Sequence, residues 1–317
     1  MSSSTIIRER AGKVSLLRGR RRVEQITLLA FLVPALLYVI LLFAYPLAQG
    51  IIISFQNYDF QALAAGGGPF VGVANYVDVL QSPVTIRAII NTAVFTVGSI
   101  VFQFLIGLAM AVFFNQRFPA SEFIRRLILV PWVMPLVAVG TMFQLVFQTS
   151  NGMVNQILQG IGIIHTGIPW LSNGVLAVVA IIIANIWAGV PFNAMLLYSG
   201  LQDVPPELLE AANVDGANRL QRFLWVTVPS MWQVILIVLM LGVVYTVKAF
   251  DLVIVLTNGG PANESQLMSS WAYTQAFTAF QFGNGTAAGN ILLVFCLIVG
   301  LIYLRISRGA SVAGGGQ

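Results

Sequence analysis

The sequence predicts an all-α integral membrane protein with six transmembrane helices. Composition and the length of the uninterrupted apolar runs carry that reading. Of 317 residues, 58% are hydrophobic and only 9% are charged, against roughly 25% charged in an ordinary soluble domain. With 16 Lys and Arg and 11 Asp and Glu, too few charges exist to cover a water-soluble fold. That excludes a cytosolic enzyme, a disordered chain and a secreted scaffold. Length alone would suggest two domains, but apolar run length is the better guide. The single Cys296 excludes a disulfide framework and a thiolate zinc cluster.

Six runs are long enough to cross a bilayer, which takes about 20 helical residues. They are 26–48, 88–114, 127–147, 175–197, 234–256 and 287–304. Lipid offers the backbone no hydrogen-bond partner, so each run is a helix unless the chain closes as a barrel. The runs are continuous rather than alternating, with Gln103 the one strongly polar residue from Ile100 to Met110. That pattern argues against a barrel. The second run is long enough to tilt, and the last is the shortest. The first follows a basic stretch, as in a secretory signal, but it far exceeds the about 7–15 residues of a signal core. No A-x-A site follows it directly, so it is read as a retained span. Residues 1–25 then form a basic N-terminal segment, 26–304 the six-span domain and 305–317 a tail.

Charge sets the orientation. Arg8, Arg10, Lys13, Arg18, Arg20, Arg21 and Arg22 precede the first span, and Arg117, Arg125 and Arg126 lie between the second and third. Arg219 and Arg222 lie between the fourth and fifth, and Arg305 and Arg308 follow the sixth. These are all of the 16 basic residues except Arg87 and Lys248. By the positive-inside bias both termini are cytoplasmic. The net charge of +5 is thus a topology signal and gives no reason to expect a nucleic-acid partner. Arg87, at the outer end of the second span, is expected to snorkel to the headgroups and do no more.

Catalytic chemistry is not expected. The one histidine, His165, reads as a solvated residue of an outer loop, so neither an H-E-x-x-H zinc site nor a Ser–His–Asp triad is available. Neither Lys13 nor Lys248 follows a phosphate-cradling glycine loop. A chain that cannot hydrolyse ATP moves solute uphill only on an ion gradient or through a partner. Gradient-driven carriers bury several acids or carry internal repeats; here Asp251 is the one acid within a span and no repeat is evident. A partner that supplies the energy is the better hypothesis, with a secondary carrier or channel as the rival.

The loop 201–229 is the most informative stretch. Pro205 and Pro206 suit a helix start, where a missing N–H is harmless. Glu207 and Glu210 complement the helix dipole. Leu208, Leu209, Ala211 and Ala212 supply apolar and small faces, and Gly216 suits the C′ position. Asn218 with Gln221 forms a capping-box pattern, opening a second helix that Pro229 is expected to end. Two short helices joined by a tight turn follow. Such a helix either docks in a groove of another protein or lies on the membrane interface, and pattern alone does not choose.

Glu210-Ala211-Ala212, then Asp215-Gly216-Ala217, then Val228-Pro229 resembles the EAA loop of the permease subunits of ATP-binding-cassette importers, with Val228 in place of the family's Leu. The resemblance implies a type I importer permease fold. The first short helix would then be the coupling helix, with Glu207, Leu208, Leu209, Glu210, Ala211, Ala212, Asp215 and Gly216 meeting an ATP-binding subunit. Phe70-Val71-Gly72 with Asn75-Tyr76 is similar to a signature of carbohydrate permeases after the first span. Thr257-Asn258-Gly259-Gly260-Pro261 resembles the first subunit of maltose-type heterodimeric pairs. The chain departs from the maltose permease in having six predicted spans and no large inserted outer domain.

Asn185-Ile186-Trp187-Ala188-Gly189-Val190-Pro191-Phe192 in the fourth span offers aromatic faces and an amide to a sugar. Equally, Gly189 and Pro191 make a packing kink and Trp187 fills lipid space. The pattern is similar to a sugar-contacting segment of the maltose permease, which implies Asn185, Trp187, Gly189 and Phe192 as solute contacts. In the fifth span Tyr245, Thr246, Lys248, Ala249 and Asp251 join the expected pathway. Lys248 and Asp251, three apart and so on one helical face, form either a structural ion pair facing the bundle or a site where Lys248 meets a polar or anionic solute. The maltose permease has Asn where Lys248 and Ala249 stand.

The resemblance thus implies a multi-pass permease in a bacterial cytoplasmic membrane that binds no cofactor or metal itself. ATP and Mg would lie on two ATP-binding partner subunits. A second permease chain would complete the pore, and an extracytoplasmic binding protein would deliver a sugar, polyol or sugar phosphate to the outer loops near Pro169 to Leu171 and Pro261 to Gln275.

Overall fold

The protein, seen in a computed structural model, is described over residues 30–116 and 118–314. The basic segment 1–25, residues 26–29 of the first expected span, Arg117 and the side chain of Arg308 lie outside the described residues. The chain divides into two units, Met1–Ile53 and Ser54–Gln317. The first consists, where described, of α1 (Ala30–Ile53), apolar on every face. Its middle turn Ile40–Ala44 is π-helical, with the Tyr45 N–H donating to the Ile40 carbonyl. Pro46 follows and cannot donate to the turn before it, the usual setting for such a widening.

The second unit is helical throughout, with two isolated bridges and no named strand among the described residues. A short α2 (Phe60–Ala65) is capped by Asp59, whose carboxylate accepts from the Ala62 N–H at 2.8 Å. Next come α3 (Ala74–Gln81) and α4 (Pro83–Phe114), the latter opening with Pro83 in its first turn. Then α5 (Ser121–Val133) turns by 93° into α6 (Leu136–Val146). The bend falls at Met134-Pro135, where Met134 is extended as a residue before proline prefers. After α7 (Met153–Gly160), Asn173 caps the long α8 (Gly174–Gln202), accepting from the Leu176 N–H at 3.1 Å.

The loop expected to hold two short helices does hold them, as α9 (Pro206–Val214) and α10 (Arg219–Ser230). Pro229 does not end the second. A π turn at Phe223–Thr227 precedes it and the helix runs to Ser230, then bends by 70° into α11 (Trp232–Val247). The expected span 234–256 is likewise not one helix: the chain leaves helical geometry after Val247 and resumes as α12 (Asp251–Leu256). The unit closes with α13 (Met268–Tyr273) and α14 (Phe282–Gly314), the last well beyond the expected 287–304. Among the described residues four helices are single, apolar and long enough to cross a membrane, and counting each of the two bent pairs as one span brings the number to six.

Two apolar clusters position the site. One joins Phe95 of α4, Phe143 and Phe147 after the bend, Ile181 and Ala184 of α8, and Leu252 and Leu256 of α12. The other lies at the opposite end of α8, where Leu197, Leu201 and Val204 meet Met231, Ile235 and Val238, with Leu209 of α9 packed against them.

Candidate functional site

Helix α4 packs extensively along α8, and small residues let the two approach. A Cβ on Gly189 would lie 2.5 Å from Gln103 Nε2, and one on Gly107 would lie 2.9 Å from the Asn193 side chain. Gln103 crosses this gap, and its Nε2 donates to the Asn185 carbonyl at 2.9 Å. Asn193 Nδ2 donates to the Gly189 carbonyl at 2.9 Å and to Gln103 Oε1 at 3.4 Å. Pro191 sits inside this turn and has no N–H to give to the Trp187 carbonyl. The helix is therefore loosened where side-chain amides stand ready to bond its backbone.

A cavity of about 350 Å³ opens beside this clasp, walled by α4, the α5–α6 bend, α8 and the α11–α12 break. Of the residues expected to meet solute, Asn185, Gly189, Phe192, Tyr245, Thr246, Lys248, Ala249 and Asp251 all line it. Trp187 does not. Its ring meets Phe143 edge-on at 5.7 Å within the first apolar cluster, because α8 turns that position away from the cavity. Sequence reasoning missed Gln103, Asn193 and Trp132 as lining residues. Gln103 was visible as the one polar residue of its run, and Asn193 stands two turns from Asn185; nothing local marked Trp132. Trp132 stacks on Phe192 at 5.3 Å and 18°, and Phe192 meets Tyr245 edge-on at 6.1 Å. Asn185 is 7% exposed, and its Nδ2 has no hydrogen-bond partner. A buried donor left unpaired is costly unless something else satisfies it.

Lys248 and Asp251 do not form the ion pair that three-residue spacing suggested. The helix breaks between them, so the spacing no longer sets a shared face. Lys248 instead places Nζ 4.5 Å from the centre of the Tyr245 ring. The ion pairs among the described residues lie elsewhere. One joins Arg87 to Glu264 at 3.6 Å, so Arg87 does more than snorkel. The other joins Arg126 to Glu122 at 2.5 Å.

Arg87 belongs to a strap at the N-terminal end of α4. Asn91 Nδ2 donates to the carbonyls of Glu264 and Gln266 at 2.7 and 3.0 Å, Thr92 Oγ1 accepts from the Met268 N–H, and Trp271 Nε1 donates to Thr85 Oγ1. The Asn-Gly-Gly-Pro loop is thereby tied along α4, with Ser265 and Gln266 buried and 262–264 exposed at its tip. Trp170 is also drawn inward, its Nε1 donating to Asn155 Oδ1 at 3.1 Å.

At the other end of α8, the chain passes into α9. Glu207, Leu208, Glu210 and Ala211 are exposed, Ala212 is half-buried, and Leu209 is pinned to the second cluster. The helix ends in a Schellman turn. The Ala217 N–H donates to the Ala212 carbonyl at 3.0 Å, the Gly216 N–H donates to the Asn213 carbonyl at 3.1 Å, and Gly216 has φ +80°. Asp215 is the exposed residue before it. The second helix opens with a capping box in which the Asn218 N–H donates to Gln221 Oε1 at 2.8 Å and the Gln221 N–H to Asn218 Oδ1 at 2.9 Å. Arg222 Nη1 donates to Asn213 Oδ1 at 2.6 Å and ties the two helices together.

The sequence profile of binding-protein-dependent transport system inner membrane components matches residues 103–312. The trehalose/maltose transport system permease protein MalF of Thermococcus litoralis is 32% identical over 240 residues, 76% of this chain and 80% of that protein. The multiple sugar-binding transport system permease protein MsmF of Streptococcus mutans is 31% identical over 287 residues, 89% of this chain and 95% of that one. Among solved structures, a bacterial alginate ABC transporter in complex with an alginate pentasaccharide-bound periplasmic protein has a chain of the same fold. Its TM-score is 0.78 at 22% identity, over 91% of this chain and 96% of that one.

Proposed function

The chain belongs to the family of binding-protein-dependent transport system inner membrane components, and on that premise we propose that it carries a carbohydrate, or a related polyol or sugar phosphate, inward across a bacterial cytoplasmic membrane. It is a multi-pass permease of an ATP-binding-cassette importer, a transport protein and not an enzyme. It works with a binding protein, as the family's description states. In this reading both termini are cytoplasmic, a second permease chain completes the pathway, and two ATP-binding subunits hold ATP and Mg. Cavity contacts come from Asn185, Phe192, Tyr245, Lys248 and the other expected lining residues, with Trp132, Gln103 and Asn193 added and Trp187 acting from behind as packing.

One observation supports the energy source above all. Helix α8 carries the cavity residues Asn185, Gly189 and Asn193, and three residues after its end the Glu210-Ala211-Ala212 helix begins, largely exposed, with Leu209 packed into the second cluster. Val214 there is 87% exposed, an apolar residue left largely uncovered by the described residues. A groove on an ATP-binding subunit would cover that face, and its closure on ATP would pull α9 and re-aim α8, so that the cavity opens alternately to each side.

Reconstitution tests this. The complete assembly, with stoichiometric ATP-binding subunits and a second permease chain, is expected to accumulate solute only with ATP. The purified chain alone is expected to accumulate none on a proton or sodium gradient. Accumulation by the chain alone would establish a gradient-driven carrier instead.

A further inference from the structure

The cavity holds two opposite charges that do not neutralise each other by contact. Lys248 and Asp251 both line it, and no other lining residue is charged. Within a membrane span an ion pair is the ordinary way to keep such residues. Here the chain leaves the helix between them. Lys248 caps the end of α11 and Asp251 opens α12, and the ion pairs among the described residues are made by other side chains. Each charge is instead placed at a helix end whose dipole opposes it, the cation at a C-terminus and the anion at an N-terminus. Neither side chain has an ion-pair partner among the described residues.

Resting on the reading that this cavity receives a carbohydrate, and narrowing it by setting the sugar phosphate aside, we propose that the separated Lys248–Asp251 couple selects uncharged polyhydroxyl solutes and rejects charged ones. A hydroxyl both donates and accepts, so neighbouring hydroxyls of a neutral saccharide accept from Lys248 and donate to Asp251 together. The couple sums to zero. A uronate or sugar phosphate gains Lys248 but meets Asp251, an amino sugar gains Asp251 but meets Lys248, and either leaves its own charge desolvated without a net counter-charge. The unpartnered Asn185 Nδ2 on the same wall supplies a further donor for a hydroxyl oxygen. The stacked Trp132 and Phe192 offer flat faces to ring C–H groups. The proposal makes these two residues specificity determinants of opposite sign.

The test measures binding of radiolabelled methyl glucoside, methyl glucuronide and methyl glucosaminide to the complete importer in nanodiscs, with the binding protein omitted so that its own selectivity does not intervene. Wild type is expected to favour the glucoside over both charged analogues by at least about tenfold. Asp251→Asn should shift the glucuronide-to-glucoside ratio by about tenfold toward the glucuronide, and Lys248→Met should shift the glucosaminide-to-glucoside ratio about as far toward the glucosaminide. Lys248→Gln and Asp251→Ser serve if a variant fails to assemble, with the same shifts expected. Unchanged ratios in both single variants, or wild type binding the glucuronide as tightly as the glucoside, overturn the charge-couple assignment alone. Binding of none of the three by wild type overturns the carbohydrate reading as well, which separates the two failures.

Discussion

Gly189 and Gln103 occupy one space: a methyl group on the glycine would sit 2.5 Å from the amide nitrogen that bonds the Asn185 carbonyl. The absence of a side chain on α8 thus lets a polar side chain of α4 reach the α8 backbone beside the cavity. Gly189→Ala is expected to lower stability by about 1–3 kcal/mol through overpacking, read as a fall in Tm of the solubilised assembly. Gln103→Ala in the same chain should recover part of that loss, and a double-mutant cycle measures the coupling. Strict additivity of the two changes would show that the clash is not what matters.

Gly216 stands in open space, with nothing within 4 Å of an added Cβ, yet its φ is +80°. The penalty for replacement is then conformational, about 1–2 kcal/mol for an ordinary residue in the left-handed region. Gly216→Val should cut solute uptake and loosen its link to ATP hydrolysis while leaving membrane insertion intact. Gly216→Asn should be milder, since Asn visits that region more readily. Equal uptake by wild type and the Val variant, measured in proteoliposomes, would count against α9 as the coupling element.

The Arg222–Asn213 hydrogen bond is the side-chain tie between α9 and α10. Arg222→Met should leave assembly with the partner subunits unchanged and raise amide hydrogen exchange across 206–214. A loss of up to about 1 kcal/mol is expected because the bond is exposed. Exchange identical to wild type would mean that the Schellman turn and capping box hold the pair unaided.

Near the start of α4, Asn91 holds two carbonyls of the strap and Arg87 one carboxylate. Asn91→Leu should expose the loop 257–267 to limited proteolysis, with about 1–3 kcal/mol lost from unpaired carbonyls. Arg87→Met should do much less, since its side chain and that of Glu264 are 53% and 45% exposed and solvent screens the pair. The reverse order of sensitivity would contradict this ranking.

Local rules reached the right answer wherever the physics was local. Gly216 as the end of α9 and the Asn218–Gln221 box follow from backbone chemistry within a few residues, and both stand as expected. Run length located the apolar helices for the same reason, since a bilayer imposes it segment by segment. Breaks were harder to see. The bend at Met134-Pro135 carried a signal, a proline four residues after Pro131 within one apolar run. The break at Lys248–Phe250 carried neither Gly nor Pro, so three-residue spacing wrongly placed Lys248 and Asp251 together. Trp187 and Trp132 show the remaining limit. Which tryptophan faces the cavity depends on how α5 and α8 pack, and no periodicity in one segment contains that information.

The 29 residues of α8 make a rod about 43 Å long at 1.5 Å per residue, and Asn185, Gly189 and Asn193 fall near its midpoint. A rod rocked about its centre behaves as a seesaw: a swing of roughly 10° carries each tip about 4 Å in opposite directions and leaves the pivot almost still. Whatever such a pivot held would be shaken least while the ends near Asn173 and Gln202 swing in opposite senses.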